Sequence, residues 1–291
     1  MSWRQKLMRL PRRLFMPDIG STNIEDAEIE SRTFSTNTGN VVSEDISSHQ
    51  PYTLDDWVPR YPELWEWGTW QQALCVNLQT DDWIEEGEVI TEGIWRFRIL
   101  TSIHLQKLAD EIELLEEWSM KHHVTLQPPN SMHDYGIEMK LLELDKILQR
   151  FTLEIADVIV ARLYPEVRDK KLDHHHAFSV TYGKKHNRSL GFHADDSEVT
   201  FNFCLGGNFI GSELYFQGRR CFNHMQTDHR PEEHVEVEQI PGTCIVHAGL
   251  HRHGVLPILE GERRSLILWT KSSTFREREG RSECTDWCGA D

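Results

Sequence analysis

Apolar positions recur along this chain with two different periods, and the change from one to the other divides it. Ile94-Trp95-Arg96-Phe97 alternates and predicts a strand. Thr101 or Ser102 can then cap a helix whose stripe is Leu105, Leu108, Ile112 and Leu115. Leu144, Leu148, Phe151, Ile155 and Val158 keep that period and predict a second helix over about 139–163. From about Asp173 the period drops to two, and Gly, Pro and Asn punctuate short runs. Val199, Phe201, Phe203 and Leu205 fall on one strand face, Thr200, Asn202 and Cys204 on the other. Helices followed by many short strands predict a mainly β fold with bracing helices, an antiparallel double-sheet barrel or jelly roll.

The stretch in front of this core differs in kind. Residues 53–91 carry Trp57, Trp65, Trp67, Trp70 and Trp83 among acids, and read as a small extension packed on the core, with a binding platform as the alternative. Residues 18–52 are rich in Ser, Thr, Asn, Asp and Glu and predict a flexible linker, because they offer too little apolar surface to offset chain ordering. Ahead of them, Arg4, Lys6, Arg9, Arg12 and Arg13 alternate with Trp3, Leu7, Leu10 and Phe15. That pattern suits an organelle-targeting peptide, a membrane-surface contact or a plain basic tail, and lacks the apolar run of a secretory signal. The expected organisation is therefore 1–52 as a basic then acidic flexible segment, 53–91 as the Trp-rich extension, 92–275 as the main domain and 276–291 as a charged tail.

Composition narrows the partners. A chain of 291 residues, 38% hydrophobic with ten Trp, can bury one full core. No apolar run approaches the roughly 20 residues a membrane span needs. A formal charge of −16 disfavours nucleic acid, whose binding requires clustered positive surface, and favours a basic peptide or protein as substrate. The six cysteines, at 75, 204, 221, 244, 284 and 288, follow no tight spacing and read as mostly reduced, in an intracellular and in the first instance cytoplasmic setting. Cys284 and Cys288 have the spacing of half a zinc site or a redox pair, but with no second pair in sight they read as free thiols.

The candidate chemistry lies in two short stretches. His193 and Asp195 are two apart, so an extended strand presents both to one ion. A later His completes two imidazoles and a carboxylate on one face of a metal, the facial triad of non-haem Fe(II) oxygenases. His247, His251 and His253 compete for that place. His251 and His253 share a strand face, and the Val255–Pro257 context with the offset to Arg263 favours His253. Arg263 and Ser265 again share a face and offer a fork and a hydroxyl to a carboxylate, which suits 2-oxoglutarate; Arg264 is the rival. His174, His175 and His176 read as ordinary strand residues rather than a metal cluster, and Leu214 to Gly218 as a strand.

On the blocks Pro129 to Gly136, Leu172 to Tyr182, Phe192 to Leu205, Gly211 to Phe216 and His247 to Trp269, residues 94–270 resemble the prolyl 4-hydroxylase and lysyl hydroxylase superfamily of Fe(II)/2-oxoglutarate dioxygenases. The resemblance implies a double-stranded β-helix (jelly roll) oxygenase core using Fe(2+), 2-oxoglutarate and O2, with L-ascorbate as reductant. It implies oxidative decarboxylation to succinate and CO2 coupled to hydroxylation of an unactivated C–H bond, most naturally in a prolyl or lysyl side chain of a protein. Tyr182 is then a further donor to the far carboxylate, and Asp196 and Ser197 orient the metal ligands. The loop 127–136 would lie near the mouth of the site, which makes Asn130, His133 and Tyr135 candidate substrate contacts, against the reading that they only fix the loop's own turn. The competing functions are an oxygenase for a small molecule or lipid, and a non-catalytic iron-binding scaffold.

Overall fold

A computed structural model describes residues 52–167 and 170–278, together with Cys284 and Cys288. The basic stretch 1–17, the polar stretch up to 51 and the rest of the tail after 278, and with them the targeting and linker expectations and most of the charged-tail one, lie outside the described residues; residues 276–278 of that tail are helical.

Two short helices open the described chain, α1 (Trp67–Ala73) and α2 (Asp82–Glu86), followed by strands β1 (Glu88–Thr91) and β2 (Ile94–Phe97). Thr101 caps the long helix α3 (Ser102–Lys121), its side chain accepting from the His104 N–H. The second helical segment is interrupted, unlike the continuous helix that its apolar period predicts. A single 3-10 turn ends at Glu143, whose positive φ of 55° breaks the helix, and α4 (Asp145–Phe151) starts only afterwards. A π turn over Thr152–Ala156 joins α4 to α5 (Asp157–Leu163). The wider π turn rotates the stripe, so Ile159 and Val160 are buried while Val158 is half-buried.

The remainder is strand: β3 (His174–Gly183), β4 (Leu190–His193), β5 (Val199–Gly206), β6 (Phe209–Gly211), β7 (Leu214–Arg219), β8 (His234–Val237), β9 (Cys244–Ala248), β10 (His251–Val255) and β11 (Ile258–Lys271), closed by the short helix α6 (Ser273–Arg278). One sheet has the order β1-β2-β9-β5-β11-β3, with β6 paired to β11; the other has the order β4-β10-β7-β8. Every pairing is antiparallel. The three consecutive histidines lie in β3 as the strand partners of Trp269, Thr270 and Lys271.

Two apolar cores follow from strand alternation. Val199, Phe201, Phe203 and Leu205 of β5, with Leu266 and Leu268 of β11, pack against Leu105, Leu108, Ile112, Leu148 and Phe151 of the helices. Trp67, Trp70 and Trp83 are buried in this same core. Phe178, Val180, Phe216, Val255, Ile267 and Trp269 form the second core, between the two sheets. The large sheet therefore buries both faces, one under helices and one against the small sheet, as in a jelly roll. Among the described residues no helix is long and apolar enough to cross a membrane.

Candidate functional site

A cleft opens between the sheets, lined by Phe178, Val180, Leu214, Val255 and Ile267. His193, at the end of β4, and His253, in β10, are register partners across the small sheet, with ring centroids 4.4 Å apart. Asp195 follows β4 immediately, and its N–H donates to the Gly249 carbonyl at 2.9 Å. That bond needs close backbone approach: a Cβ on Gly249 would stand 2.0 Å from the Ser197 carbonyl oxygen.

The donor atoms of His193, Asp195 and His253 lie within 4.8 Å of one another. Asp195 Oδ1 is 3.4 Å from His193 Nε2 and 3.7 Å from His253 Nε2. Each histidine places Nδ1 at 2.9 Å from a carbonyl, His193 against Gly191 and His253 against His251. A carbonyl only accepts, so Nδ1 carries the proton and each Nε2 turns a lone pair toward the carboxylate. Asp195 Oδ2 accepts from Thr200 Oγ1 at 2.6 Å, and Ser197 Oγ lies 2.7 Å from Thr200 Oγ1, which leaves Oδ1 facing the imidazoles. Asp196 pairs with Lys271 at 2.7 Å and Arg276 at 2.9 Å, fastening the loop after β4 to β11 and α6.

Electrostatics favour a neutral His253 and an ionised Asp195, whereas Asp195 draws His193 toward its protonated form, a proton that a bound cation would displace. Burial lowers the His253 pKa to about 3 despite the pull of Asp195. Burial alone would raise Asp195, but the surrounding His253, His193 and His247 hold it well below the usual carboxylate range. Burial also opposes protonation of His193, where the hydrogen bond and charge of Asp195 prevail and raise it. An ionised carboxylate between two Nε2 lone pairs is the donor set a divalent cation takes.

The rival histidines fall elsewhere. The register of β7 against β10 is irregular between His251 and His253, and His251 lines a separate cavity with Arg219 and Glu233. His247 is buried with Nε2 3.8 Å from Asp195 Oδ2 and Nδ1 on the Ala248 carbonyl, beside the three-residue group rather than within it.

At the other end of the cleft Arg263 is 1% exposed. Its Nε donates to Ser212 Oγ at 3.0 Å and its Nη1 to Ser265 Oγ at 2.9 Å, while the buried Nη2 has no hydrogen-bond partner among the described residues. The guanidinium lies over the Tyr182 ring, 4.6 Å from its centroid. Leaving a buried cation short of a partner is costly, so the cleft suits a further acceptor that the described residues do not supply. Arg264, on the opposite strand face, donates instead to the Ala109 carbonyl and to Glu116 on α3.

The loop 127–136 is divided. His133 is buried in the cleft, its Nε2 3.2 Å from the Tyr182 hydroxyl. Asn130 Oδ1 accepts from the N–H groups of Met132 and His133 and lies 3.0 Å from His133 Nδ1, so Asn130 orders the loop's own turn. Tyr135 is 45% exposed and packs on His186. Ser212 is the residue that sequence reasoning missed; it is buried with a positive φ of 66°, and the only trace of it in the sequence is its place after Gly211 at a strand break.

Residues 73–169 match the OGFOD2-like domain. The chain is 39% identical over 198 residues to the Arabidopsis thaliana 2-oxoglutarate and iron-dependent oxygenase domain-containing protein ICU11, covering 68% of this chain and 50% of that one. It is 35% identical over 190 residues to the mouse 2-oxoglutarate and iron-dependent oxygenase domain-containing protein 2, covering 64% and 51%. It thus spans about half the length of the curated relatives it matches. Among solved structures, a Trichoplax adhaerens prolyl hydroxylase in complex with a hypoxia inducible factor peptide fragment matches with TM-score 0.44 at 14% identity, covering 74% of this chain and 96% of that one. EvdO2 from Micromonospora carbonacea complexed with 2-oxoglutarate matches with TM-score 0.43 at 12% identity, covering 69% and 93%. Through the sequence matches, this chain is a homologue, over about two thirds of its own length, of the 2-oxoglutarate and iron-dependent oxygenase domain-containing proteins.

Proposed function

We propose that the protein is an Fe(II)- and 2-oxoglutarate-dependent oxygenase that hydroxylates an unactivated C–H bond of a protein side chain, prolyl or lysyl, and releases succinate and CO2. The observation that carries this reading is the pairing, in one cleft, of a two-His, one-carboxylate donor set with a buried arginine whose Nη2 has no hydrogen-bond partner among the described residues. The names of the homologues support its coarser part, a 2-oxoglutarate and iron-dependent oxygenase. Bound iron supplies the O2 activation that no side chain can.

The chain's own residues position and exclude. His193, Asp195 and His253 are the metal ligands, held by the Gly191 and His251 carbonyls and by Thr200. Arg263, with Ser265 and Tyr182 beside it, takes the far carboxylate of the 2-oxo acid, and Ser212 fixes the guanidinium from its other side. Phe178, Val180, Leu190 and Ile267 line the walls and keep water from the reacting centre. His133, anchored on Tyr182, borders the substrate's approach, and the exposed ring of Tyr135 stands further out. A basic peptide is the acceptor that the −16 charge attracts. Ascorbate is proposed as the reductant that restores Fe(II).

The test is succinate formation from 2-oxoglutarate by Fe(II)-loaded protein with no acceptor added, then with basic prolyl and lysyl peptides. Succinate that disappears in Asp195→Ala supports the reading, and peptide stimulation supports the substrate class. Succinate release unchanged by Asp195→Ala would remove it.

A further inference from the structure

Away from the cleft, four donors that are scattered in the sequence converge. Cys221 and His224 are separated by two residues in the turn after β7; Cys284 and Cys288, separated by three, come from beyond α6. One ligand atom from each lies within 4.8 Å of every other. The three sulfurs surround a single ring nitrogen: His224 Nδ1 is 3.4 Å from Cys221 Sγ, 3.6 Å from Cys284 Sγ and 3.5 Å from Cys288 Sγ. A tetrahedral ion with bonds of about 2.3 Å to sulfur and about 2.0 Å to nitrogen separates those atoms by about 3.5 Å. The second pair that the sequence does not place beside Cys284 and Cys288 is therefore a cysteine and a histidine.

The surroundings suit an anionic cluster. Three thiolates, one neutral imidazole and a divalent cation sum to one negative charge, and two buried guanidiniums, those of Arg220 and Arg252, lie within electrostatic reach of Cys288. Arg220 already has its carboxylate, Glu233, at 2.8 Å through two parallel hydrogen bonds. Arg252 directs its Nη atoms to the carbonyls of Met225, Thr227 and Gln217, so a negative cluster beside it supplies the counter-charge that these bonds do not. The Cys221 N–H also points at Cys288 Sγ at 3.5 Å, as backbone amides do toward metal-bound thiolates.

We propose that Cys221, His224, Cys284 and Cys288 bind a structural zinc ion that fastens the chain beyond α6 to the turn after β7. A disulfide between two of the cysteines would leave the third thiol and the imidazole without purpose, whereas zinc uses all four donors and, with four protein ligands, is closed to catalysis. The site also steadies the neighbourhood of the cleft. Arg220 N–H donates to the Leu250 carbonyl just before β10, and the Arg252 guanidinium lies 5.1 Å from the ring centroid of Phe192, the residue before His193.

The test uses the full chain carrying Asp195→Ala, which removes one of the cleft donors, so that the two metal centres are read separately. One zinc per chain is expected to survive gel filtration. Cobalt in its place is expected to give strong thiolate-to-metal charge-transfer absorption with the visible bands of a tetrahedral site. Cys284→Ser, at an exposed position, should lower zinc affinity at least about tenfold and remove about a third of the charge-transfer intensity, one thiolate of three. A folded chain that binds no zinc, cobalt bands without thiolate character, intensity unchanged in both Cys284→Ser and Cys288→Ser, or a disulfide found among these cysteines by mass spectrometry of the alkylated, unreduced protein would each overturn the site.

Discussion

His193 and His253 are partners across β4 and β10, and each lays its Nδ1 against a carbonyl two residues earlier in its own strand, that of Gly191 and of His251. The sheet thereby fixes both tautomers before any ion arrives.

Because Thr200 Oγ1 donates to Asp195 Oδ2 at 2.6 Å, Thr200→Val is expected to loosen the carboxylate without removing a ligand. Outer-shell changes of this kind cost roughly 10- to 100-fold in metal affinity. The Fe(II) concentration for half-maximal succinate formation should rise by that factor in Thr200→Val, whereas His253→Ala should abolish turnover and His251→Ala should leave the iron requirement near that of the parent chain. An intact iron requirement in His253→Ala would move the ligand to His247.

Arg263 and Arg264 are chain neighbours with opposite tasks, since one faces the cleft and the other faces α3. A hydrogen bond to a charged group contributes about 1.5–3 kcal/mol, so Arg263→Ala should raise the 2-oxoglutarate requirement about 10- to 100-fold. Arg264→Ala should leave that requirement unchanged and lower only the unfolding midpoint, through loss of the Glu116 pair. Equal effects on the 2-oxoglutarate requirement would show that the cosubstrate enters from the α3 side.

The contrast between these two arginines also shows what the sequence discloses. Once β11 is known to run unbroken between β3 and β5, alternation alone sends Arg263 and Ser265 into the cleft with Ile267 and Trp269, and sends Leu266 and Leu268 to the helices. The same parity made β5 legible, with Thr200 and Asn202 toward the cleft and Phe201 and Phe203 toward the helices. His133 entered the candidate site only through the family resemblance, and Ser212 not at all, because loops bring both there and loop conformation carries no period. Cys221 and His224 were invisible as partners of Cys284 for a related reason: the two halves are about sixty residues apart, and only folding sets them together. The π turn at Thr152 has no compositional mark, which is why the stripe was extended through Val158.

His104 provides a pH handle remote from both proposed metal centres. It is 4% exposed, packs edge-on to Trp70 at 4.6 Å, and burial lowers its pKa to about 4. With a folded pKa below the unfolded value of 6.5, the unfolded chain binds the extra proton, so this contribution is complete above pH 6.5 and is lost as the pH falls through about 4. The loss approaches about 3 kcal/mol at about 1.36 kcal/mol per unit. His104→Phe keeps a ring against Trp70 and cannot titrate. Urea midpoints between pH 7 and 4 should therefore fall less steeply in the variant, and parallel curves would show that His104 is protonated in the fold.

Gly249 sets the last expectation, because it tests the backbone rather than a ligand. Its carbonyl accepts the Asp195 N–H, its own N–H donates to the Glu198 carbonyl, and a Cβ would stand 2.0 Å from the Ser197 carbonyl oxygen and 2.5 Å from Ser197 Oγ. These are backbone and short-side-chain atoms with no rotamer to retreat into, so Gly249→Ala must push the Asp195–Glu198 turn away from β9. Asp195 would move with it, and a shift of even about 1 Å is enough to cost a positioned site about 100-fold. Gly249→Ala is accordingly expected to reduce iron-dependent succinate formation strongly while lowering stability by about 1–3 kcal/mol, the range for overpacking. Unfolding midpoints measured beside iron titrations separate the two effects, and a variant that is destabilised yet keeps full iron affinity would mean that the Gly249 backbone does not position Asp195.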